Sequence, residues 1–267
     1  MKELKIVVLA KQVPDTRNVG ADAMNADGTV NRAALPTVFN PEDLKALEMA
    51  LALKESVPGS TVTVITMGPP RAAEIIRDAR SRGADDGFVL SDMRFAGADT
   101  LATSYALACA ISSLGHVDAI FCGRQAIDGD TAQVGPQVAE KLSLPQVAYA
   151  ESIHEVGDSS LTIVRRLERG SEMVRMQLPA LITVTSAAKD CRYPNAHRLL
   201  RFYDDEVPLR SADTIGADLE RLGLKGSPTK VKKIENVVLA HKDAEQVAAT
   251  PEALTGLAQT LIKEHIL

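Results

Sequence analysis

The stretch Cys122-Gly-Arg-Gln-Ala-Ile-Asp-Gly-Asp-Thr-Ala-Gln-Val-Gly-Pro-Gln-Val-Ala139 decides the fold. It continues an apolar run, Asp118–Cys122, that reads as a buried strand, and sets glycines, acids and a threonine before a periodic apolar pattern. That pattern predicts a helix starting at Asp130 or Thr131. A strand that empties into a small-residue loop at a helix N-terminus is where α/β proteins bind nucleotides, because the first N–H groups of the helix can face an anion. The loop lacks the Gly-Lys-Ser/Thr ending of a Walker loop and the Gly-x-Gly-x-x-Gly spacing of a dinucleotide turn. Its ligand has to be read from the rest of the chain.

Outward from this stretch, strand and helix patterns alternate. Leu4–Ala10 precedes a helix near Pro41–Glu55, Thr61–Met67 one near Pro70–Arg82, and Gly87–Leu90 one near Asp99–Leu114. Asp118–Cys122 precedes the helix near Thr131–Leu142. This order predicts an α/β fold with a doubly wound, mostly parallel sheet, Rossmann-like and suited to adenine nucleotides. The ligand then sits beyond the carboxyl ends of the strands, where strand order reverses. Leu9-Ala10-Lys11 and the Gly123 loop face each other there if the first and fourth of these strands are neighbours.

Beyond residue 145 the texture changes. Ala148–Glu155, Leu161–Leu167 and Glu172–Gln177 predict a small β meander packed against the sheet, and Leu178–Thr185 a last core strand. The expected division is a nucleotide-binding α/β domain over residues 1–185, with the meander at 148–178. Residues 186–267 would form a docking loop and an extended C-terminal arm, with the basic run Lys230-Val-Lys-Lys233 and a helix near Pro251–Ile266. A long arm with little core of its own packs on something else, and a partner subunit is the natural candidate.

Composition narrows the function. The 267 residues are 45% hydrophobic and 24% charged, with a net charge of -5 and no long basic tract, which argues against nucleic acid as the main partner. No apolar run approaches the roughly 20 residues that span a bilayer. The N-terminal run Ile6–Ala10 is short and followed at once by Lys11-Gln12, so it reads as a strand of a cytoplasmic protein rather than a signal peptide. Three separated cysteines and five histidines without ligand spacing predict no metal centre. There is no Gly-x-Ser-x-Gly elbow, so no nucleophile is visible.

Four segments are predicted to converge on the crevice: Ala10–Asp15, Phe39–Asp43 with Asn40 as helix cap and Pro41 in the first turn, Thr66–Pro70, and Gly97–Thr103 with Asp99 as cap. Asp128 and Asp130 would repel a phosphate at close range and are better suited to ribose hydroxyls or to orienting the loop. The N–H groups of Thr131–Gln133 suit a phosphate. The hydroxyls of Thr100, Thr103 and Thr131 can donate to phosphate or ribose. Arg124 is the cation expected beside the charged or redox-active part of the ligand.

These residues carry a resemblance. Val7-Val-Leu-Ala-Lys-Gln-Val-Pro-Asp15, Asn40-Pro-Glu-Asp43, Val64-Ile-Thr-Met-Gly-Pro69, Gly83-Ala-Asp85 and Gly123-Arg-Gln-Ala-Ile-Asp128 resemble the β subunit of electron-transferring flavoproteins along nearly the whole chain. Ile163–Thr183 resembles the family's signature region, with Arg169 where an acid or glycine is usual. The resemblance implies a heterodimer with an α subunit that holds a mobile FAD domain. In one branch the β subunit holds structural AMP; in the electron-bifurcating branch a second FAD takes that pocket. Gly129-Asp-Thr-Ala-Gln-Val-Gly-Pro136 and Phe95–Thr103 look like the bifurcating branch.

The resemblance further implies that NADH delivers hydride to FAD on this chain. One electron then passes through the α-subunit FAD to a flavin dehydrogenase, and the other to ferredoxin or flavodoxin. The implied cofactor set is Leu9 and Ala10; Asn40, Pro41, Glu42 and Asp43; Met67 and Gly68; Asp99, Thr100 and Thr103; Gly123, Arg124, Gln125 and Asp128; and Gly129, Asp130, Thr131, Ala132, Gln133, Val134 and Gly135. Arg124 would tune the flavin. Docking to an acyl-CoA dehydrogenase would use a loop at Arg192-Tyr193, with Ala196 where an apolar anchor is usual. That departure leaves a lactate-type dehydrogenase as a possible partner.

Overall fold

The computed structural model describes residues 2–15, 36–230 and 246–266. The chain forms two compact units, residues 1–230 and 231–267. In the first, β1 (Lys5–Ala10) runs into a two-stranded ribbon of β2 (Gln12–Pro14) and β3 (Thr37–Phe39), followed by α1 (Pro41–Ser56). Then come β4 (Thr61–Met67), α2 (Ala73–Arg82), β5 (Asp86–Leu90), α3 (Thr100–Ser112), β6 (Ala119–Gly123) and α4 (Val134–Lys141). The sheet is completed by β7 (Gln146–Val156), β8 (Ser160–Leu167), β9 (Gly170–Gln177), β10 (Ala180–Val184) and, after the short α5 (Ala196–Phe202), β11 (Leu209–Arg210).

The nine-stranded sheet has the order β11-β5-β4-β1-β6-β10-β7-β8-β9. β1 pairs in parallel with β4 on one side and β6 on the other, so strand order reverses between β1 and β6, as the sequence pattern predicts. The alternation of β1 explains its place at the centre. Ile6, Val8 and Ala10 pack into the apolar layer under α1 and α2, while Val7 and Leu9 pack into the layer under α3 and α4. A strand apolar on both faces can only be a covered, interior one.

Three expectations change. The meander does not lie on a face of the sheet: β10 pairs in parallel with both β6 and β7, so the antiparallel β7-β8-β9 extends the same sheet sideways. The helix expected from Asp130 or Thr131 begins at Val134. Asp130 (φ 50°) and Ala132 (φ 53°) are left-handed and cannot join a right-handed helix. Residues 186–230 are not an extended arm. Val207, Ala212, Ile215 and Leu222 are buried and β11 joins β5, so this segment closes the body's edge. Lys230 ends that unit, and the rest of the basic run lies outside the described residues. In the second unit, α6 (Pro251–Lys263) starts with Thr250 accepting from Ala253 N–H.

Packing between α2 and the sheet depends on one glycine. A Cβ on Gly87 of β5 would lie 2.7 Å from Ile76 Cγ2 and 2.8 Å from the Val64 carbonyl oxygen. Gly87→Ala should cost about 1–3 kcal/mol of stability, the range for overpacking a filled core. A urea midpoint equal to that of the parent chain would contradict this packing.

Candidate functional site

The site is built from the end of β1, the start of α1 and the loop after β6. The β2–β3 ribbon brings Asn40 back to β1, where its N–H donates to Lys11 O at 3.0 Å. Three polar side chains are then buried in a row: Asn40, Glu42 and Asp43 are 0%, 5% and 6% exposed. Buried polar groups require partners, and these three take theirs from the two strand ends.

Asp43 Oδ1 accepts from Gly123 N–H at 2.8 Å and its Oδ2 from Lys11 N–H at 2.9 Å. Glu42 Oε2 accepts from Gln125 N–H at 3.0 Å, and its Oε1 from Arg124 Nη2 at 3.2 Å. Asn40 Nδ2 donates to Gln125 O at 2.9 Å, and its Oδ1 accepts from Ile127 N–H at 3.2 Å. Asn40 thus occupies the cap position of α1, but its side chain holds the loop instead of capping the helix. The approach requires Gly123, because a Cβ there would lie 2.5 Å from Asp43 Oδ1 and 2.8 Å from Asp43 N.

Burial pushes the Asp43 carboxyl up to about 7, against the pull of the N–H groups of Gly123 and Lys11. Burial also pushes the Cys122 thiol up, so it stays protonated. Burial alone would lower the Arg124 guanidinium, but the hydrogen bond and charge of Glu42, together with the Tyr149 phenol, outweigh it and keep the arginine charged. Arg124 N–H donates to Val184 O at 2.8 Å, which ties the loop to β10.

Farther along the loop the acids act on the loop itself. Lys11 Nζ contacts Asp128 Oδ1 and Oδ2 at 2.8 and 2.7 Å, spanning the mouth between the two strand ends. Gln125 Nε2 donates to Asp130 Oδ1 at 2.8 Å. Gly129 and Thr131 are exposed, and a Cβ on Gly129 would meet nothing within 4 Å. α4 has no side-chain cap: the Gln133 side chain pairs with Thr100 Oγ1 at 2.9 Å instead. The first-turn N–H groups of α4 are therefore left for an anion. This uncapped turn, behind an open glycine and a loop with two left-handed residues, fits the phosphate of a nucleotide.

The remaining predicted residues divide between lining and support. Asp99 caps α3 through Leu101 and Ala102 N–H, both at 3.0 Å, and accepts from Thr229 Oγ1 at 2.8 Å. Burial pulls its carboxyl up, but those hydrogen bonds outweigh it and hold Asp99 below its ordinary value. Thr103 N–H closes the first α3 turn onto Asp99 O, and Gly68 N–H bonds Leu90 O. Met67 and Val134 are half-buried against the layer under α3 and α4, where Leu9 also packs, while Ala10 packs under α1. Ala132 is half-buried. Pro41 begins α1. Gly135 lets α4 approach the sheet, since a Cβ there would lie 2.7 Å from Thr183 Cγ2 and 2.8 Å from Cys122 Sγ.

Sequence reading placed Lys11 opposite the Gly123 loop but gave its side chain, which bridges the mouth, no role, and it missed Tyr149, whose ring centroid lies 5.8 Å from the Arg124 guanidinium carbon. Thr66, which opens one of the four predicted segments, carries a buried hydroxyl near the end of β4 without a hydrogen-bond partner. At the predicted docking loop, Arg192 is clamped, with its N–H and Nε donating to Glu48 Oε2 at 3.0 and 2.8 Å. Tyr193 is 92% exposed. Ala196 is the first residue of α5, which exposes Leu200 and Tyr203. A concavity of about 260 Å³ between α1 and β7 lies apart from this convergence and is mainly apolar. Among the described residues no group of His, Cys, Asp and Glu could hold a metal, and no helix is long and apolar enough to cross a membrane.

A reversing parallel sheet with an uncapped helix and a pinned glycine loop at the reversal defines a nucleotide-crevice α/β protein. The chain belongs to the electron transfer flavoprotein family, as a β subunit: the family model "Electron transfer flavoprotein domain" matches residues 27–198. The electron transfer flavoprotein subunit beta of Clostridium acetobutylicum is 43% identical over 264 residues, covering 99% of this chain and 100% of the relative. The caffeyl-CoA reductase-Etf complex subunit CarD of Acetobacterium woodii is 43% identical over 266 residues, with 99% and 100% coverage. The acryloyl-CoA reductase electron transfer subunit gamma of Anaerotignum propionicum is 41% identical over 278 residues, again with 99% and 100% coverage.

The Asp43 bridge sets a testable pH dependence. The folded chain holds a proton on Asp43 up to about pH 7, whereas the unfolded chain releases it near 3.8. The stability this group contributes is full below the lower value and is lost as pH rises towards the upper one. Asp43→Asn leaves one buried N–H without an acceptor and should cost about 1–3 kcal/mol. Its deficit, measured by urea denaturation, should narrow as pH rises between those two values. A deficit that grows with pH would contradict the raised carboxyl.

Proposed function

We propose that this chain binds FAD in the β1/β6 crevice and works as the β subunit of a bifurcating heterodimer in the cytoplasm. With an α subunit that carries its own FAD, it takes hydride from NADH. The electrons are divided between ferredoxin or flavodoxin and, through the α-subunit FAD, a flavin dehydrogenase of acyl-CoA or lactate type. FAD supplies the two-electron acceptor that can release its electrons singly; the chain supplies binding and charge. Supporting this reading are relatives named as subunits of reductase–electron-transfer complexes, together with the Gly129–Pro136 loop.

One observation carries the assignment: Arg124 is held at the mouth of the crevice by fixed partners. Glu42 fixes the guanidinium and offsets part of its charge, and the Val184 carbonyl fixes its backbone. A cation in that place favours the anionic reduced form of a flavin ring. The first turn of α4 receives phosphate, and the Gly129–Thr131 backbone gives it room. Lys11 screens Asp128, so the acids at the loop do not repel the ligand at full strength. Leu9, Ala10, Met67 and Gly68 form the crevice floor beside Thr100 and Thr103. Arg192, Tyr193 and the exposed face of α5 present the dehydrogenase surface.

Nucleotides released by denaturing the purified heterodimer test the reading. Two FAD and no AMP are expected. One FAD and one AMP would overturn it in favour of a structural-AMP subunit that carries electrons without splitting them. In the two-FAD protein, Arg124→Ala should retain most FAD and lower the reduction potential of the flavin on this chain. An unchanged potential in a reductive titration would remove Arg124 from the mechanism.

A further inference from the structure

Tyr149 lies where β7 breaks its pairing with β10. Ile182 pairs with Val147 and Val184 with Ala150, so β7 carries one extra residue at this point. At that bulge Tyr149 has φ 62°, a left-handed backbone that bulky side chains rarely adopt. Strained backbone of this kind persists where the surroundings over-determine it, and it clusters at functional sites. The surroundings here are explicit. Tyr149 N–H donates to Thr183 Oγ1 at 3.3 Å, and the next residue of β10, Val184, accepts from Arg124 N–H at 2.8 Å. Two consecutive β10 residues therefore set the backbones of Tyr149 and Arg124 in register.

The consequence is the placement of one ring. The chain has four Tyr and five Phe, and all five Phe are buried. Tyr149 is 44% exposed and is the exposed aromatic beside the crevice; Tyr193 and Tyr203 flank α5 instead. Its ring centroid lies 5.8 Å from the Arg124 guanidinium carbon, within cation–π range. Glu42 holds the same guanidinium at 3.2 Å. Without the ring, the guanidinium keeps one ion pair and gains room on the side the ring covered, and a long side chain with room regains its rotamers readily.

We propose that Tyr149 is a positioning residue, whose ring confines the Arg124 guanidinium against Glu42 at the mouth of the crevice. Its unusual backbone is the means by which β7 turns the ring towards Arg124. The role rests on the proposed flavin-facing place of Arg124, and the test separates the two.

The heterodimer carries Tyr149→Phe, which keeps the ring and loses only the phenol oxygen, or Tyr149→Leu, which removes both; both leave the same backbone strain. Relaxation of the Arg124 Nε–H resonance reads the positioning, whichever nucleotide is bound. Arg124 should be ordered in the parent and in Tyr149→Phe, and mobile in Tyr149→Leu. Equal order in Tyr149→Leu overturns the proposal. In the two-FAD protein, Tyr149→Leu should lower the potential of the flavin on this chain, Tyr149→Phe should not, and Tyr149→Leu should add nothing to Arg124→Ala. A further shift in the Arg124→Ala background shows that Tyr149 acts directly and overturns the proposal. A mobile Arg124 in a heterodimer holding one FAD and one AMP upholds the positioning and sinks the flavin reading alone.

Discussion

The Asp43 carboxyl bridges the N–H groups of Lys11 and Gly123, and the site depends on that bridge. β1 and β6 are adjacent and parallel, but the chain leaves their ends in different directions. Each end exposes backbone donors where the ladder stops. One buried side chain from the first turn of α1 satisfies a donor on each. Gly123 has to lack a side chain for the carboxyl to reach it. Glu42 and Asn40 repeat the arrangement over Gln125 and Ile127, so the loop is laid along the helix start residue by residue. Burying a carboxyl is costly, and its raised value records that cost; the hydrogen bonds offset it.

The same helix holds the Arg192-Tyr193 loop. Glu48, one turn beyond the crevice residues, is buried and accepts from Arg192 N–H and Nε. Burial pulls its carboxyl up, but the Arg192 hydrogen bonds outweigh that and hold it below its ordinary value. Lys45 donates to Ala188 O at 2.7 Å, and Arg82 Nη1 to Arg192 O at 2.6 Å. Tyr193 and α5 are thereby presented from a fixed frame. Crevice and Arg192-Tyr193 loop share α1, a 16-residue element that bends less readily than a loop would.

The sheet was legible in the sequence because its strands are covered on both faces. Ile6–Ala10 and Ala119–Cys122 are uninterrupted apolar runs, and such runs between helical patterns admit few topologies. The crevice was legible from glycine and cap residues at strand ends. The roles of those residues were not, because Asn, Asp and Glu at a helix start serve equally as caps, ligands or loop clamps. Asn40 and Asp43 are clamps, whereas Asp99 is a cap. The start of α4 was misplaced because no residue type announces a left-handed Asp130 or Ala132. Tyr149 was missed for the same reason: its alternation reads as an ordinary strand position. Residues 186–230 read as part of an extended arm because single apolar residues such as Ile215 and Leu222 fill slots without making a period.

The crevice is held in shape by the chain's own buried side chains. Amide hydrogen exchange at Lys11, Gly123, Gln125 and Ile127 tests it most directly, since each N–H ends on a buried α1 side chain. In nucleotide-free protein these four should exchange as slowly as the central β1 amides. Exchange as fast as that of the exposed Gly129–Thr131 backbone, with protection appearing only when nucleotide is added, would contradict a preformed site.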